Sequence, residues 1–145
     1  MEDIYRRIPH RPPFLFVDEI LEINEEGAKA SLLISPDLSF FEGHYPGNPI
    51  MPGVLLCESI FQTGAIFLSE HMSKKNALTD SDVTPVLSRI RDARFKRMVK
   101  PGDKVILSVF LVETIGQFFN LRGEVHNDGK VAMTISFALA LVENS

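Results

Sequence analysis

Residues 40–62 read FFEGHYPGNPIMPGVLLCESIFQ, a turn-rich segment followed by the start of a long apolar one. The prolines and glycines between Ser35 and Pro52 predict a loop. Pro52 suits the first turn of a helix, where a missing N–H costs nothing. From Gly53 to about His71, apolar residues lie on nearly every face, which predicts a buried helix rather than a surface helix.

Runs rich in β-branched and aromatic residues lie on both sides of this helix and predict strands. Two precede it and four follow it: Phe14–Ile23, Ala28–Ile34, Pro85–Phe95, Val105–Val112, Gln117–Val125 and Val131–Val142. Residues 24–27 and 127–129 suit hairpin turns, whereas a polar connector is predicted over 71–82. Strands before and after one buried helix imply a single α+β domain, residues 1–145, in which an antiparallel sheet wraps around that helix.

Composition narrows the class of protein. The apolar runs are interrupted well before the ~20 residues that a membrane span needs, so none is predicted. The single cysteine, Cys57, cannot form an internal disulfide, and we therefore expect a reducing cytoplasm. No spacing of His, Cys, Asp and Glu resembles a metal site. His10 and His126 have no evident partner and are expected at the surface.

A basic stretch stands out in a chain whose net charge is -4. Residues 89–104 contain seven basic side chains and two acidic ones. Such a stretch attracts phosphate, an acidic partner protein or nucleic acid. The structural alternative is that these charges lie on a solvent-exposed face of a strand and only keep it soluble. Nucleic acid is the least favoured partner, because no aromatic platform accompanies the charges.

His44 and Glu58 are the residues to which we assign chemistry. His44 lies among glycines and prolines, and imidazole is a base near neutral pH. Glu58 lies within an apolar run, where burial is expected to favour the protonated acid. An acid and a base of this kind support proton transfer at physiological pH. Gln62 follows Glu58 by one helical turn, on the same face.

Structural interpretations of the same residues stay open. His44 also suits a hydrogen-bonding role in a rigid turn, and Glu58 suits an ion pair with an arginine. Gln62 is expected to hold the Glu58 carboxyl, to touch a substrate, or to be an internally satisfied amide. Cys57 is most simply a small buried group, and a Cys–His nucleophile pair is the alternative.

Several short motifs make the sequence similar to one known family. They are Ile8–Arg11, Pro13–Asp18, Phe41–Gly47, Met51–Leu55, Ala93–Arg97 and Pro101–Asp103. Together with Glu58 and Gln62 they resemble the FabZ-type 3-hydroxyacyl-acyl-carrier-protein dehydratases of bacterial fatty acid synthesis, members of the hotdog-fold superfamily. Glutamate rather than aspartate at position 58 resembles the FabZ type more than the FabA type, which argues against a built-in isomerase activity.

The resemblance implies removal of water from a 3-hydroxyacyl thioester. His44 would take the C2 proton, and Glu58 would give a proton to the leaving hydroxyl. The N–H of Gly53, at the start of the helix, would polarise the thioester carbonyl. We also expect substrate contacts from Tyr45, Phe61 and Gln62, with Phe61 narrowing the tunnel for the acyl chain.

The resemblance also implies partners and an assembly. The acyl chain would be carried on the phosphopantetheine of an acyl carrier protein, with no other cofactor. Contact with that acidic protein is assigned to Arg94, Lys96 and Arg97. A homodimer would share its active sites, with His44 of one subunit facing Glu58 of the partner subunit, and three such dimers would assemble further.

Two other functions stay open. A thioester hydrolase on the same fold would use Glu58 to activate water and would release free acid and thiol. A non-catalytic acyl-carrier-binding subunit would be expected to lack the histidine or the acid, and this chain retains both.

Overall fold

The computed structural model describes residues 1–74 and 83–143, with the side chain of Lys74 left aside. A short helix and a hairpin precede the long helix, and four further strands follow it. The elements are α1 Glu2–Tyr5, β1 Glu19–Ile23, β2 Gly27–Leu33, α2 Gly53–Lys74, β3 Val83–Phe95, β4 Lys104–Ile115, β5 Phe118–Asn127 and β6 Lys130–Glu143. The predicted loop before α2 contains one 3-10 turn, Ser39–Glu42.

All six of these strands form one antiparallel sheet, in the order β1-β2-β4-β5-β6-β3. Strand β3 follows the helix in sequence and pairs with the last strand, β6, at the opposite edge of the sheet from β1. Strands β2 to β6 all contact the helix. The predicted α+β hotdog arrangement is confirmed.

Helix α2 lies at the centre of the core. Every residue from Ile60 to Ser69 is buried, which agrees with the apolar residues on nearly every face of this segment. At Gly64 an added Cβ would lie 3.1 Å from the Phe137 ring, so the helix packs very closely on β6. Its exposed or partly exposed positions lie at its two ends, with Val54 and Glu58 in the first two turns and Glu70, His71 and Ser73 near the C-terminus.

The first strand differs from the sequence-based prediction. It begins at Glu19 instead of Phe14, because the backbone at Phe14 and Phe16 bonds to a side chain of the helix, and the bonds to β2 start only at Asp18. The N–H of Phe16 donates to Gln62 Oε1 at 2.8 Å, and the carbonyl of Phe14 accepts from Gln62 Nε2 at 3.2 Å. A helix side chain therefore shortens the strand.

The connections agree better with the prediction. Asp128 and Gly129 both have positive φ, 53° and 77°, as a two-residue hairpin turn requires. Residues 71–74 of the predicted polar connector belong to α2. Its remaining residues, 75–82, lie outside the described part of the chain.

Strand β3 is an edge of the sheet, and its helix-facing side chains are uncovered. Its register places Leu87, Ile90 and Phe95 opposite Leu139, Phe137 and Met133 of β6. Those β6 side chains are 0–3% exposed, whereas the β3 side chains are 40–54% exposed. An edge strand of 13 residues presents unpaired N–H and C=O groups, and with these exposed apolar side chains it can pair with another chain.

Candidate active site

The loop that carries His44 is fixed mainly by its backbone. The N–H of His44 donates to the Phe40 carbonyl at 3.1 Å, and the N–H of Met51 donates to the Val99 carbonyl at 2.7 Å. Tyr45 has a φ of 54°, which a bulky residue adopts only where its surroundings impose it. The Tyr45 ring meets the imidazole edge-on, with 4.7 Å between ring centroids. The imidazole is therefore held in one place.

One hydrogen bond determines the protonation pattern of His44. Its Nδ1 lies 2.8 Å from the carbonyl oxygen of Ile50. A carbonyl only accepts hydrogen bonds, so Nδ1 bears the hydrogen and Nε2 of the neutral ring keeps a free lone pair. A general base needs this form. The structural role predicted from the sequence accounts for Nδ1, whereas Nε2 bonds to no residue in the described part of the chain.

His44 opens onto a cleft of about 520 Å³. Gly53 and Tyr45 line the cleft with it, and so do the basic side chains of Lys96 and Arg97. The other walls are formed by apolar residues, namely Ile50, Met51, Leu56, Phe95, Met98 and Val99. A cleft with apolar walls and two cations suits an apolar ligand that has an anionic end.

Gly53 is the first residue of α2 and offers a free N–H to this cleft. Further along the helix, the N–H groups of Leu55 and Leu56 both donate to the Pro52 carbonyl, at 3.0 and 3.2 Å. The Gly53 N–H makes no hydrogen bond to any described residue, and it lies at the positive end of the helix dipole. A Cβ here would approach the Phe95 ring to 2.7 Å, which explains why the position is glycine.

Glu58 is held by Gln62. The Nε2 of Gln62 donates to Glu58 Oε2 at 3.0 Å, while the same amide bonds the backbone at Phe14 and Phe16. Gln62 is 1% exposed, so both ends of its amide are satisfied inside the chain, as two of the three sequence-based alternatives expected. The Glu58 side chain is 23% exposed, and the single chain therefore shields it only in part.

His10 is the residue that the sequence analysis missed. It was expected to lie at the surface without a partner, but its Nε2 lies 3.7 Å from Glu58 Oε2. Its ring stacks near Phe14, with centroids 6.5 Å apart. The only feature of the sequence that pointed to a role for His10 was its place in Ile8–Arg11, one of the motifs shared with the FabZ-type family. His126, by contrast, lies 3.4 Å from Glu124, away from this site.

The three basic candidates divide into two groups. Lys96 and Arg97 line the cleft beside His44. Arg94 lies opposite Thr134 in the sheet register, pairs with Asp92 at 3.3 Å and lines a second groove, which Lys96 also borders. The structure therefore brings two of the three toward the imidazole.

Phe61 and Cys57 both belong to the core of the single chain. The Phe61 ring packs on Phe137 with 5.1 Å between centroids and does not line the His44 cleft. Cys57 is 7% exposed and faces Met133, with 3.6 Å between the sulfurs. Burial raises the pKa of the Cys57 thiol, partly opposed by a backbone hydrogen bond, so a reactive thiolate beside His44 is disfavoured.

His44 and Glu58 have no contact in common within the described chain. His44 bonds Phe40 and Ile50, whereas Glu58 contacts Gln62 and His10. Glu58 is also absent from the lining of the cleft that contains His44. The acid and the base therefore occupy different parts of one chain.

The fold and these residues define a class: a hotdog protein with an imidazole in a cleft, a partly shielded carboxyl group and a helix that starts beside that imidazole. A family model described as a FabA-like domain matches residues 8–136. The chain belongs to this family.

Curated relatives agree with the FabZ-type resemblance. The chain is 43% identical over 123 residues to the protein named 3-hydroxyacyl-[acyl-carrier-protein] dehydratase FabZ of Petrotoga mobilis, covering 85% of this chain and 84% of the relative. Proteins of the same name are 38% identical over 97% of both chains in Oceanobacillus iheyensis, and 37% identical over 97% of this chain and 87% of the relative in Caulobacter vibrioides.

Solved structures share the fold at low identity. The dehydratase heterocomplex ApeI:P from Xenorhabdus doucetiae aligns with a TM-score of 0.81 and 16% identity, over 96% of this chain and 90% of that one. A hypothetical thioesterase with coenzyme A from Streptococcus pneumoniae TIGR4 aligns with a TM-score of 0.64 and 13% identity, over 87% and 86%. These alignments support the hotdog fold.

Two kinds of feature are absent from residues 1–74 and 83–143. No three His, Cys, Asp or Glu side chains are grouped there as metal ligands. None of the helices in these ranges combines the length and apolar character that a membrane crossing requires.

Proposed function

We propose that this protein catalyses the reversible dehydration of a (3R)-3-hydroxyacyl thioester on acyl carrier protein to the trans-2-enoyl thioester, in fatty acid or related lipid biosynthesis. The observation that most supports it is the His44 ring, whose Nδ1 is bound by the Ile50 carbonyl and which lines the same cleft as Gly53, whose N–H has no partner among the described residues. The whole chain, residues 1–145, acts as one dehydratase domain.

The reaction divides among three groups. His44 Nε2 takes the C2 proton, and the C2–H electrons form the C2–C3 double bond as the C3–O bond breaks. Glu58 gives its proton to the departing hydroxyl, which leaves as water. The Gly53 N–H stabilises the negative charge that develops on the thioester oxygen. His44 then returns its proton to solvent and Glu58 regains one.

A homodimer completes the site in this proposal. Exposed apolar side chains along β3, such as Ile90 at 51% and Phe95 at 54%, support pairing of two chains at this edge. Because His44 and Glu58 share no contact within one chain, the partner subunit supplies the missing acid for each histidine. Assembly of three dimers is the further step that the resemblance implies.

The substrate is delivered by the carrier protein. Lys96 and Arg97 at the cleft support an electrostatic contact with that acidic partner, and Arg94 is a weaker candidate because Asp92 already pairs with it. Tyr45 contacts the substrate from the His44 loop, and Phe61 limits the acyl chain from the core. No cofactor is needed beyond the phosphopantetheine of the substrate, and a cytoplasmic location follows from this proposal.

Mass spectrometry of the acyl carrier protein provides the test. Carrier protein loaded with (3R)-3-hydroxyacyl chains of graded length is incubated with purified enzyme. A dehydratase lowers the mass of the intact acyl carrier by one water, and in the reverse direction it adds water to the enoyl form. The chain length that reacts fastest also reports the depth of the acyl site.

The alternatives give different masses. A thioester hydrolase, the class named for the hypothetical thioesterase that shares the fold, would leave bare carrier protein and free acid. A non-catalytic subunit would leave the substrate unchanged at every chain length. Either result would exclude the proposed reaction, and the (3S) substrate serves as the control for stereospecific dehydration.

A further inference from the structure

We propose that His10 is a positioning residue that acts with Gln62 to keep the acidic proton of Glu58 on Oε1, the oxygen that faces the reaction. This inference rests on the proposed role of Glu58 as the acid. It concerns a side chain that lies more than forty positions away in the sequence and was expected at the surface.

The two oxygens of the Glu58 carboxyl have different surroundings. Oε2 accepts a hydrogen bond from Gln62 Nε2 at 3.0 Å and faces His10 Nε2 at 3.7 Å. Oε1 makes no hydrogen bond to any residue in the described part of the chain. The partners of the carboxyl therefore all lie on one of its oxygens.

The surroundings of the His10 ring indicate which nitrogen bears its hydrogen. Nδ1 is buried and has no hydrogen-bond partner among the described residues, whereas Nε2 faces the carboxyl. A buried N–H without an acceptor is costly. The neutral ring therefore places its hydrogen on Nε2, where it points at Glu58 Oε2. Contacts of this length in a free enzyme commonly tighten when substrate binds.

Two N–H groups face one oxygen, that of Gln62 at hydrogen-bond distance and that of His10 at 3.7 Å. A proton on Oε2 would take one of its two lone-pair sites and so would face one of these N–H groups without an acceptor between them. The protonated acid therefore places its hydrogen on Oε1, which no side chain of the described chain occupies. Oε1 is the oxygen left for the leaving hydroxyl. His10 acts on the reaction through Glu58 and does not touch the reacting atoms.

Three substitutions of His10 separate this role from a merely structural one. His10→Phe keeps a ring that stacks near Phe14 but removes the donor. His10→Gln keeps an N–H at the distance of Nε2, and His10→Asn places one at the distance of Nδ1. We expect kcat to fall by about tenfold in His10→Phe and His10→Asn, the loss of one hydrogen bond to a reacting group, with KM within about twofold. His10→Gln should retain most of kcat.

Equal turnover in all three variants would overturn the proposal, as would an equal loss in all three, which is what a packing role predicts. Nitrogen NMR of the unmodified protein is a second measurement that needs no variant. It should show His10 with Nε2 protonated and Nδ1 bare, and the opposite tautomer contradicts the inference.

A double substitution distinguishes this proposal from the one on which it rests. In a Glu58→Gln background, His10→Phe should change the residual rate no further, because its effect passes through the carboxyl. If Glu58→Gln itself leaves turnover unchanged, the proposed function of Glu58 fails. If Glu58→Gln abolishes turnover while His10→Phe is fully active, only the role of His10 fails.

Discussion

His44 and Glu58 are held by different kinds of structure. The loop part of the site, residues 40–51, fixes His44 through hydrogen bonds to the backbone carbonyls of Phe40 and Ile50, residues within six positions of it. The helix part consists of residues 53–62 together with residues 10–16, which lie against them. It holds Glu58 through the side chains of Gln62 and His10. The first arrangement is local in sequence, and the second depends on contacts across the fold.

This difference implies different tolerance to change. A backbone-held loop keeps its imidazole in place when neighbouring side chains vary, provided that the turn residues remain. The carboxyl depends on a buried amide that is also bonded to the backbone at Phe14 and Phe16. A substitution in the helix part is therefore expected to affect stability and activity together, whereas one in the loop part affects activity alone.

The largest effects are expected from the acid and the base themselves. His44→Ala and Glu58→Gln should each lower kcat for dehydration by about 10²–10⁴, the contribution of a general acid or base. The assay follows enoyl formation on the carrier protein, with circular dichroism and thermal unfolding to show that both variants fold. Full turnover by His44→Ala would remove the imidazole from the mechanism.

Mixing the two inactive variants tests whether the loop and helix parts meet across two chains. A purified heterodimer of His44→Ala with Glu58→Gln should recover about half of the normal turnover, because one of its two shared sites has both groups intact. Each variant alone, refolded in the same way, is the control. If the acid and base of one chain act together, the mixture stays inactive.

The sequence was sufficient for the regular parts of the molecule. Continuous apolar positions from Gly53 onward predicted the buried helix, and the turn at residues 127–129 predicted the last hairpin, because both signals are local. The predicted strand from Phe14 was wrong at its start, since Gln62 takes up the backbone there. His10 was missed for the same reason, because a contact between side chains distant in sequence has no periodic signal.

Removing the buried amide should cost stability as well as activity. Gln62→Leu leaves the N–H of Phe16 and the carbonyl of Phe14 without a partner. Each such group costs about 1–3 kcal/mol in the free energy of unfolding. Urea denaturation measures the loss, and kcat should fall with it because Glu58 Oε2 loses its donor.

Gln62→Glu is the matched control, since it keeps an acceptor for the Phe16 N–H but replaces the donor beside Glu58 with a second carboxyl. A Gln62→Leu protein as stable and as active as the original would show that the helix part does not depend on this amide.

The rate at which Cys57 is alkylated tests how well the helix part excludes solvent. The thiol is 7% exposed, and burial raises its pKa above the ordinary 9.0. Both factors should slow iodoacetamide alkylation at pH 8 by about tenfold or more relative to an exposed cysteine. The control is Val54→Cys in a Cys57→Ser background, at a position that is 74% exposed one turn earlier in the same helix. Equal rates would mean that the helix opens readily.

The raised pKa of the Cys57 thiol also determines the direction in which stability changes with pH. The folded state holds the thiol proton more tightly than the unfolded chain does, so this contribution is present below the ordinary thiol pKa and is lost as the pH rises through and above it. Cys57→Ser should weaken that alkaline loss in thermal unfolding measured over a pH series.

The smallest effects are expected from the basic side chains near the loop part. Arg97→Ala should raise KM for carrier-bound substrate a few-fold at low salt, because Arg97 lines the cleft of His44, and Arg94→Ala should raise it less, because Arg94 pairs with Asp92 outside that cleft. Both increases should shrink as salt screens the contact. With the same acyl group on a short pantetheine thiol, KM should not change, and Lys130→Ala, at the start of β6, is the control for net charge. If Arg94→Ala has the larger effect, the carrier protein docks at the groove that Arg94 lines instead of at the His44 cleft. The loop part would then contact only the acyl group of the substrate.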